Sequence, residues 1–370
     1  VFGGIMRRGT ANLPLHSGHA PRWLFERMVK ISAEIASWIV VEQGTAALFR
    51  RLSDPVWFQA FGAVMGMDWH SSGVTTTVCG ALKQGLSGRG SELGMVVAGG
   101  KGRTSRQTPN ELAAASDWLE IDTAPYIQAS RMSAKVDNNA LQDGYQIYHH
   151  VFLLDREGHW AVIQQGMNDA NSYARRYHWF SDDVQSFVSD PHSAIASEST
   201  GEVWNLVAGE SAAARDVTTA LACEQPEKVV AEVARLRELT LPAHHDVQGA
   251  DVDPKRLHRI LLKTYERQPE DFSTLLGMEG VGARTLRALS LVGELVYGAP
   301  VSIKDPARFA FAHGGKDRHP YPVDHKTYDQ SIQLLHTAVE RAKIGQREQV
   351  DALKRLALWT DTERDAAPSA

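Results

Sequence analysis

The sequence predicts an α+β protein: an N-terminal mixed α/β domain whose sheet contains a β-hairpin, then an all-helical C-terminal domain. Three observations carry that prediction. Apolar residues recur at helical spacing through residues 21–86 and again beyond residue 254. Between these stretches, two β-rich runs, Tyr145 to Leu154 and Trp160 to Gln165, flank the tight polar turn Asp155-Arg156-Glu157-Gly158. The loop Leu241 to Asp246 separates the two textures, which divides the chain into 1–245, 250–360 and a short polar tail over 361–370.

Each element has a local reason. Pro21 opens a helix to about residue 42 that carries Leu24, Phe25, Met28, Ile31, Ile35, Trp38 and Ile39 on one face, and Gly44 ends it. A short helix from Thr45 to Leu52 stops before Asp54-Pro55, and Pro55 starts a third that reaches Met65. After a polar break comes a helix from Val74 to Gly85. Met95-Val96-Val97 reads as a short buried strand. Thr108-Pro109 with Glu111 reads as a capping-box helix start, and another helix begins near Pro125. A strand over Glu202 to Val207 and a helix from Ser211 to Leu221 follow. Beyond the boundary the helices are Pro254 to Arg267, Phe272 to Leu276, Ala283 to Tyr297 and Lys326 to Arg341.

Composition narrows the class. At 43% hydrophobic and 22% charged, the chain has ordinary globular usage, which excludes disordered and fibrous classes. No apolar run approaches the roughly 20 residues a membrane-spanning helix needs. No leader-like apolar segment opens the sequence, so a cytoplasmic protein is expected. With only Cys79 and Cys223, a disulfide scaffold or cysteine-based metal site is excluded. The net charge of −5 conceals a segregation: residues 1–110 sum to +6, 111–254 to −14 and 255–330 to +3. Basic ends around an acidic middle suit a polyanionic ligand or a carboxylate metal site, although solvated charged faces produce the same split.

The most specific motif is Leu275 to Leu286, with Gly280-Val281-Gly282 at its centre. It resembles the helix-hairpin-helix DNA-binding motif, whose turn has the form Gly-hydrophobic-Gly. The glycines are expected to allow a tight turn at positive φ and to present backbone N–H groups at the start of a helix, where phosphate binds. Val281 is then the apolar plug, and Arg284 and Arg287 add phosphate contacts. DNA is the expected partner; an ordinary glycine-capped turn is the bland alternative. Helix-hairpin-helix glycosylases carry a catalytic Asp in a Val-Asp pair, which Val323-Asp324 resembles. Here Asp324 lies 42 residues beyond Gly282, and Arg284 occupies the position of the lyase lysine. An N-cap role for Asp324 competes with the catalytic one.

The first half holds many polar residues in apolar surroundings. Pro21 to Arg27, Thr75 to Lys83 and Tyr145 to His150 make the chain similar, from Gly9 to Asp324, to a bacterial and archaeal family catalogued only as a domain of unknown function (DUF 763). That resemblance implies a C-terminal helix-hairpin-helix and no reaction. The chemistry expected from the residues is phosphodiester hydrolysis by a DNA-processing nuclease with Mg²⁺ or Mn²⁺. Asp68, Asp137 and Asp143 are the expected metal ligands, joined by His70 and His149, and His178 is a candidate acid or base. Each histidine alone is equally a core residue.

His149 and His150 point to opposite faces of their strand. The turn pairs either His150 with Gln165 or His149 with Gln164. The run Gly99 to Arg106 resembles a phosphate-gripping loop without Walker spacing, and its Lys101, Arg103 and Arg106 are expected to guide a strand. Arg131 and Lys135, four apart on a helix, are spaced to bracket a phosphate. A base-excision glycosylase and a non-catalytic DNA-binding adaptor are the rival functions. A homo-oligomer is compatible with everything above.

Overall fold

The computed structural model describes residues 22–67, 73–170, 173–197, 200–236, 253–307 and 325–366. Asp68, His70, Asp324 and the loop Leu241 to Asp246 lie outside the described residues. Helices α1 (Arg22–Gln43), α2 (Thr45–Leu52), α3 (Pro55–Met65), α4 (Gly73–Leu86) and the single turn α5 (Gly90–Leu93) come first. Strand β1 (Met95–Lys101) runs into a 3-10 turn, Gly102–Gln107, and then α6 (Thr108–Leu119) and α7 (Ala124–Lys135). A π-turn, Val136–Ala140, leads to β2 (Leu141–Gln142), β3 (Gln146–Asp155), β4 (Trp160–Asn168), β5 (Tyr173–Phe180), β6 (Ala194–Ser197) and β7 (Trp204–Asn205). The helices α8 (Ala212–Ala222), α9 (Pro226–Leu236), α10 (Pro254–Arg267), α11 (Phe272–Gly277), α12 (Ala283–Tyr297), α13 (His325–Arg341) and α14 (Gln346–Ala366) complete the α+β fold.

The main sheet has the order β1-β3-β4-β5-β6, and every described pair in it is antiparallel, where the sequence suggested a mixed sheet. Helices cover both faces. Val151, Leu153, Ala161, Ile163 and Phe180 meet α1–α4, α13 and α14 on one face. Phe152, Leu154, Val162, Tyr177 and Trp179 meet α6–α12 on the other, where one continuous apolar cluster runs from Ala98 to Ala307. Residues on both sides of 237–252 therefore share a core. This alternation is the period-2 consequence of the pleat.

The hairpin turn is built by Asp155. Its buried carboxylate accepts from the backbone N–H of Glu157 and of His159, both at 2.9 Å, and from the Thr45 hydroxyl. The resulting register differs from both expected ones: His149 pairs with Gln165 and His150 with Gln164, with an irregularity between Ile147 and His149. Glu111 also departs from its expected role. It accepts from the Gly99 N–H at 2.7 Å and from the Lys83 ammonium, which clamps β1 to α4 and α6 instead of capping its own helix.

Candidate functional site

In the C-terminal segment two helices are joined by a glycine-containing turn, and its glycines differ in conformation. The turn Met278–Gly282 joins α11 to α12. Gly280 has φ +91, which an L-side chain adopts only under strain. Gly282 does not: it sits at φ −137 and ψ −179, extended, as the residue before α12. Val281 is buried with Leu275, Leu276, Leu286 and Leu289, so it is the plug between the helices. The first-turn amides of α12 have no intrahelical acceptor, and Gly280 and Arg284 beside them are exposed.

Two of the expected phosphate contacts have other tasks. Lys135 donates to the carbonyls of Leu276 and Met278, each at 2.6 Å, so it pins the hairpin from α7 and does not bracket a phosphate with exposed Arg131. Gln142 adds a second tie, donating to the Ala283 carbonyl at 2.9 Å. The Arg287 guanidinium lies over the Trp204 indole, 3.9 Å from its centroid, and serves the packing of α12 on β7.

A feature that sequence inspection passed over stands next to the hairpin. Helix α10 carries Lys255, Arg256, Arg259, Lys263 and Arg267 against a single carboxylate, Glu266. Its buried side is Leu257, Ile260, Leu261 and Thr264. Steps of three and four residues put Arg256, Arg259, Lys263 and Arg267 in one stripe along the Ile260 edge of that side. A Cβ added at Gly280 would stand 3.7 Å from the Ile260 side chain. All four cations are exposed, and among the described residues none has a carboxylate within salt-bridge distance. The signal was present in the sequence as an i, i+3, i+7, i+11 pattern.

The expected acidic and histidine residues fall into separate networks. Asp137, in the π-turn, is fully buried and accepts from Gln164, Trp179 Nε1 and His192. His192 was not among the residues singled out from sequence. Asp143 is ion-paired with Arg175 at 2.9 Å and accepts from Tyr177 Oη at 2.7 Å; Asp305 grips Arg175 from the far side at 2.8 Å. Burial pushes the Asp143 carboxyl up to about 6 despite the arginine. His150 joins the first network through Ser130 and Gln164.

His149 and His178 project from the opposite face of the sheet, so the expected ligand set of Asp137, Asp143 and His149 is split by the sheet itself. Both ring nitrogens of His178, the candidate acid or base, are engaged: Nδ1 donates to the Leu52 carbonyl, and Nε2 accepts from Arg176 Nε. Burial, reinforced by Arg176, holds it neutral, with its pKa well below the usual histidine range. Among the described residues, the one cluster with metal-ligand spacing is Asp155, Glu157 and His159, whose Asp155 already builds the hairpin turn.

The glycine run after β1 is likewise not a phosphate cradle. Gly99 and Gly100 belong to the strand, and at Gly99 a Cβ would collide with the His150 carbonyl oxygen. Lys101, Arg103 and Arg106 remain exposed at the strand end and in the following 3-10 turn.

A row of polar side chains crosses the sheet on the α1–α4 face. Register places Lys101 beside His149, His149 beside Gln165, and Gln165 beside Arg176. Gln165 donates to Tyr148 Oη, and the Lys101 ammonium lies 5.8 Å from the Tyr148 ring centroid. Arg176 stacks on Phe58 and reaches Gln59 and Thr75.

These features define a three-layer α+β protein in which a glycine-turned helical hairpin, flanked by the basic helix α10, packs on the helices and π-turn that cover one face of the sheet. The chain belongs to the family described as "Protein of unknown function (DUF763)", whose model matches residues 9–323. No curated protein and no solved structure matches it. Among the described residues no helix is long and apolar enough to cross a membrane.

Proposed function

We propose that this protein binds the sugar–phosphate backbone of DNA through the α10 stripe and the α11–α12 hairpin. The observation that carries the reading is the closeness of Ile260 to the turn, 3.7 Å from where a Cβ on Gly280 would stand, which sets four cations with no carboxylate partner among the described residues alongside the start of α12. Cations spaced along a helix neutralise successive phosphates, and helix-terminal amides hold one phosphate in place; neither reads bases. Binding of this kind is sequence-independent and falls steeply with salt.

Fluorescence anisotropy with labelled duplex, single-stranded DNA and RNA across a salt series tests it. The reading requires a negative slope of log K against log salt that Arg256→Glu with Arg259→Glu reduces by about two. An unchanged slope in the double variant overturns it.

Phosphodiester hydrolysis with Mg²⁺ or Mn²⁺ is the reaction proposed to accompany binding, and it rests on Asp68 and His70. Digestion of the same substrates with and without these ions separates a nuclease from an adaptor that binds without cutting. Removal of a damaged base insensitive to chelator would point instead to Asp324 and a glycosylase.

A further inference from the structure

We propose that Lys101, His149 and Gln165, on the α1–α4 face of the sheet, form an oxyanion site that takes a phosphate group. It shares no residue with the hairpin and does not rest on the reading of the hairpin.

His149 carries the argument. It is 1% exposed, and among the described residues neither ring nitrogen has a hydrogen-bond partner. Burying such a group unpaired costs about 1–3 kcal/mol. The same sheet satisfies its other buried histidines on both nitrogens: His150 through Ser130 and Gln164, His178 through Leu52 and Arg176. His149 is therefore an exception that the fold tolerates, and an unpaired donor in the native state calls for a ligand. Burial holds the ring neutral, with a pKa of about 3, and the nearby positive charge of Lys101 acts in the same direction. A neutral imidazole still offers one N–H.

The neighbours decide the sign of that ligand. Lys101 and Gln165 flank His149 in register, and Arg176 follows Gln165 in the same row. No Asp or Glu stands in this row. Two cations, an amide and an imidazole N–H favour an anion with several oxygens over a metal ion. Lys101 is exposed and Tyr148 half-buried, so the row has a solvent edge, and Arg103 and Arg106 in the next turn extend the positive field outward from it. The strand irregularity between Ile147 and His149 lies at this point, a place where bulges re-aim side chains beside binding sites.

The source of the phosphate is either a free phosphate or the terminal phosphate of an oligonucleotide, and calorimetry on the full chain distinguishes them. Inorganic phosphate, a 5′-phosphorylated oligonucleotide and its 5′-hydroxyl counterpart are titrated into wild type, His149→Phe and Lys101→Gln. The expected result is phosphate binding that each substitution weakens at least tenfold. A 5′-phosphorylated strand that out-binds its hydroxyl counterpart in wild type alone assigns the site to a nucleic-acid end; equal affinities alongside phosphate binding assign it to free phosphate.

His149→Phe is expected to melt no lower than wild type, because it removes an unsatisfied buried group. Lys101→Gln alters only an exposed position and keeps the test valid if the phenylalanine misfits. Absence of binding to all phosphate probes at millimolar concentration overturns the proposal. So does binding indifferent to both substitutions. The Arg256→Glu, Arg259→Glu double variant leaves phosphate binding unchanged, so failure of the hairpin reading and failure of this one are told apart.

Discussion

Replacing Lys135 by methionine removes the pin that holds the hairpin to α7 while keeping most of the aliphatic stem. The ammonium makes two hydrogen bonds of 2.6 Å to the carbonyls of Leu276 and Met278, on a side chain that is half-buried. Bonds to a charged donor contribute about 1.5–3 kcal/mol each when buried, and partial solvation reduces this, so the pair is worth about 2 kcal/mol. Gln142, Val281 and the apolar contacts of α12 remain, which confines the loss to the hairpin.

Local opening easier by about 2 kcal/mol accelerates amide exchange about thirtyfold where that opening limits it. Hydrogen–deuterium exchange of residues 276–286 in Lys135→Met is the assay, with β3 and β4 as internal controls. The expected pattern is fast exchange at the hairpin and wild-type exchange in the strands. Because the closed hairpin still dominates, DNA affinity falls only a few-fold. Unchanged exchange at the hairpin would show that Lys135 does not hold it. Uniform acceleration everywhere would show a global stability role instead.

Other outcomes follow from the same geometry. Gly280→Ala costs about 1–2 kcal/mol through its positive φ alone, since the nearest atom to a new Cβ is Ile260 at an ordinary 3.7 Å; Gly282→Ala, in extended backbone, costs less, and thermal melts rank the two. Asp137→Leu strands the polar atoms of Gln164, Trp179 and His192 in the core, and a melting temperature lowered by several degrees is expected. His149, His150 and His178 are neutral in the fold, with pKa values below the ordinary 6.5 through burial.

Below that pH the unfolded chain binds protons that the folded chain refuses, so stability falls as pH drops, by about 1.4 kcal/mol per pH unit per group. Asp143, raised to about 6, acts in the opposite sense from pH 6 downward, because the fold takes up its proton first. Denaturant midpoints measured from pH 7.5 to 5 are expected to decline below 6.5 and less steeply below 6; a flat profile refutes the neutral buried histidines.

The helices were legible in the sequence because their apolar period and their punctuation agree. Pro55 after Asp54, Pro254 after Asp253 and the glycines at 44 and 298 mark ends that the fold keeps, and Asp54 caps α3 by accepting from Val56 and Trp57. The β3–β4 hairpin was legible for the same reason. Strand β5 was not. Its Arg175, Arg176, Tyr177 and His178 show no strand alternation of polar and apolar residues, and all are buried, because each face of the strand supplies its own partners. No local pattern announces that Asp143 and Asp305 will arrive from elsewhere to neutralise Arg175.

Local sequence therefore determined the type and limits of most elements, the glycine turn after α11 and the basic spacing of α10, all properties of residues within one or two helical turns. Tertiary structure decided the rest. It chose the β3–β4 register, and with it the face each histidine occupies. It decided that Gly280 and not Gly282 takes the left-handed conformation, that Lys135 serves the hairpin, and that Asp137 and His149 never meet. Those outcomes depend on partners more than a hundred residues away, or on which side of a pleated strand a residue falls. One residue of register reverses that side, and composition does not record it.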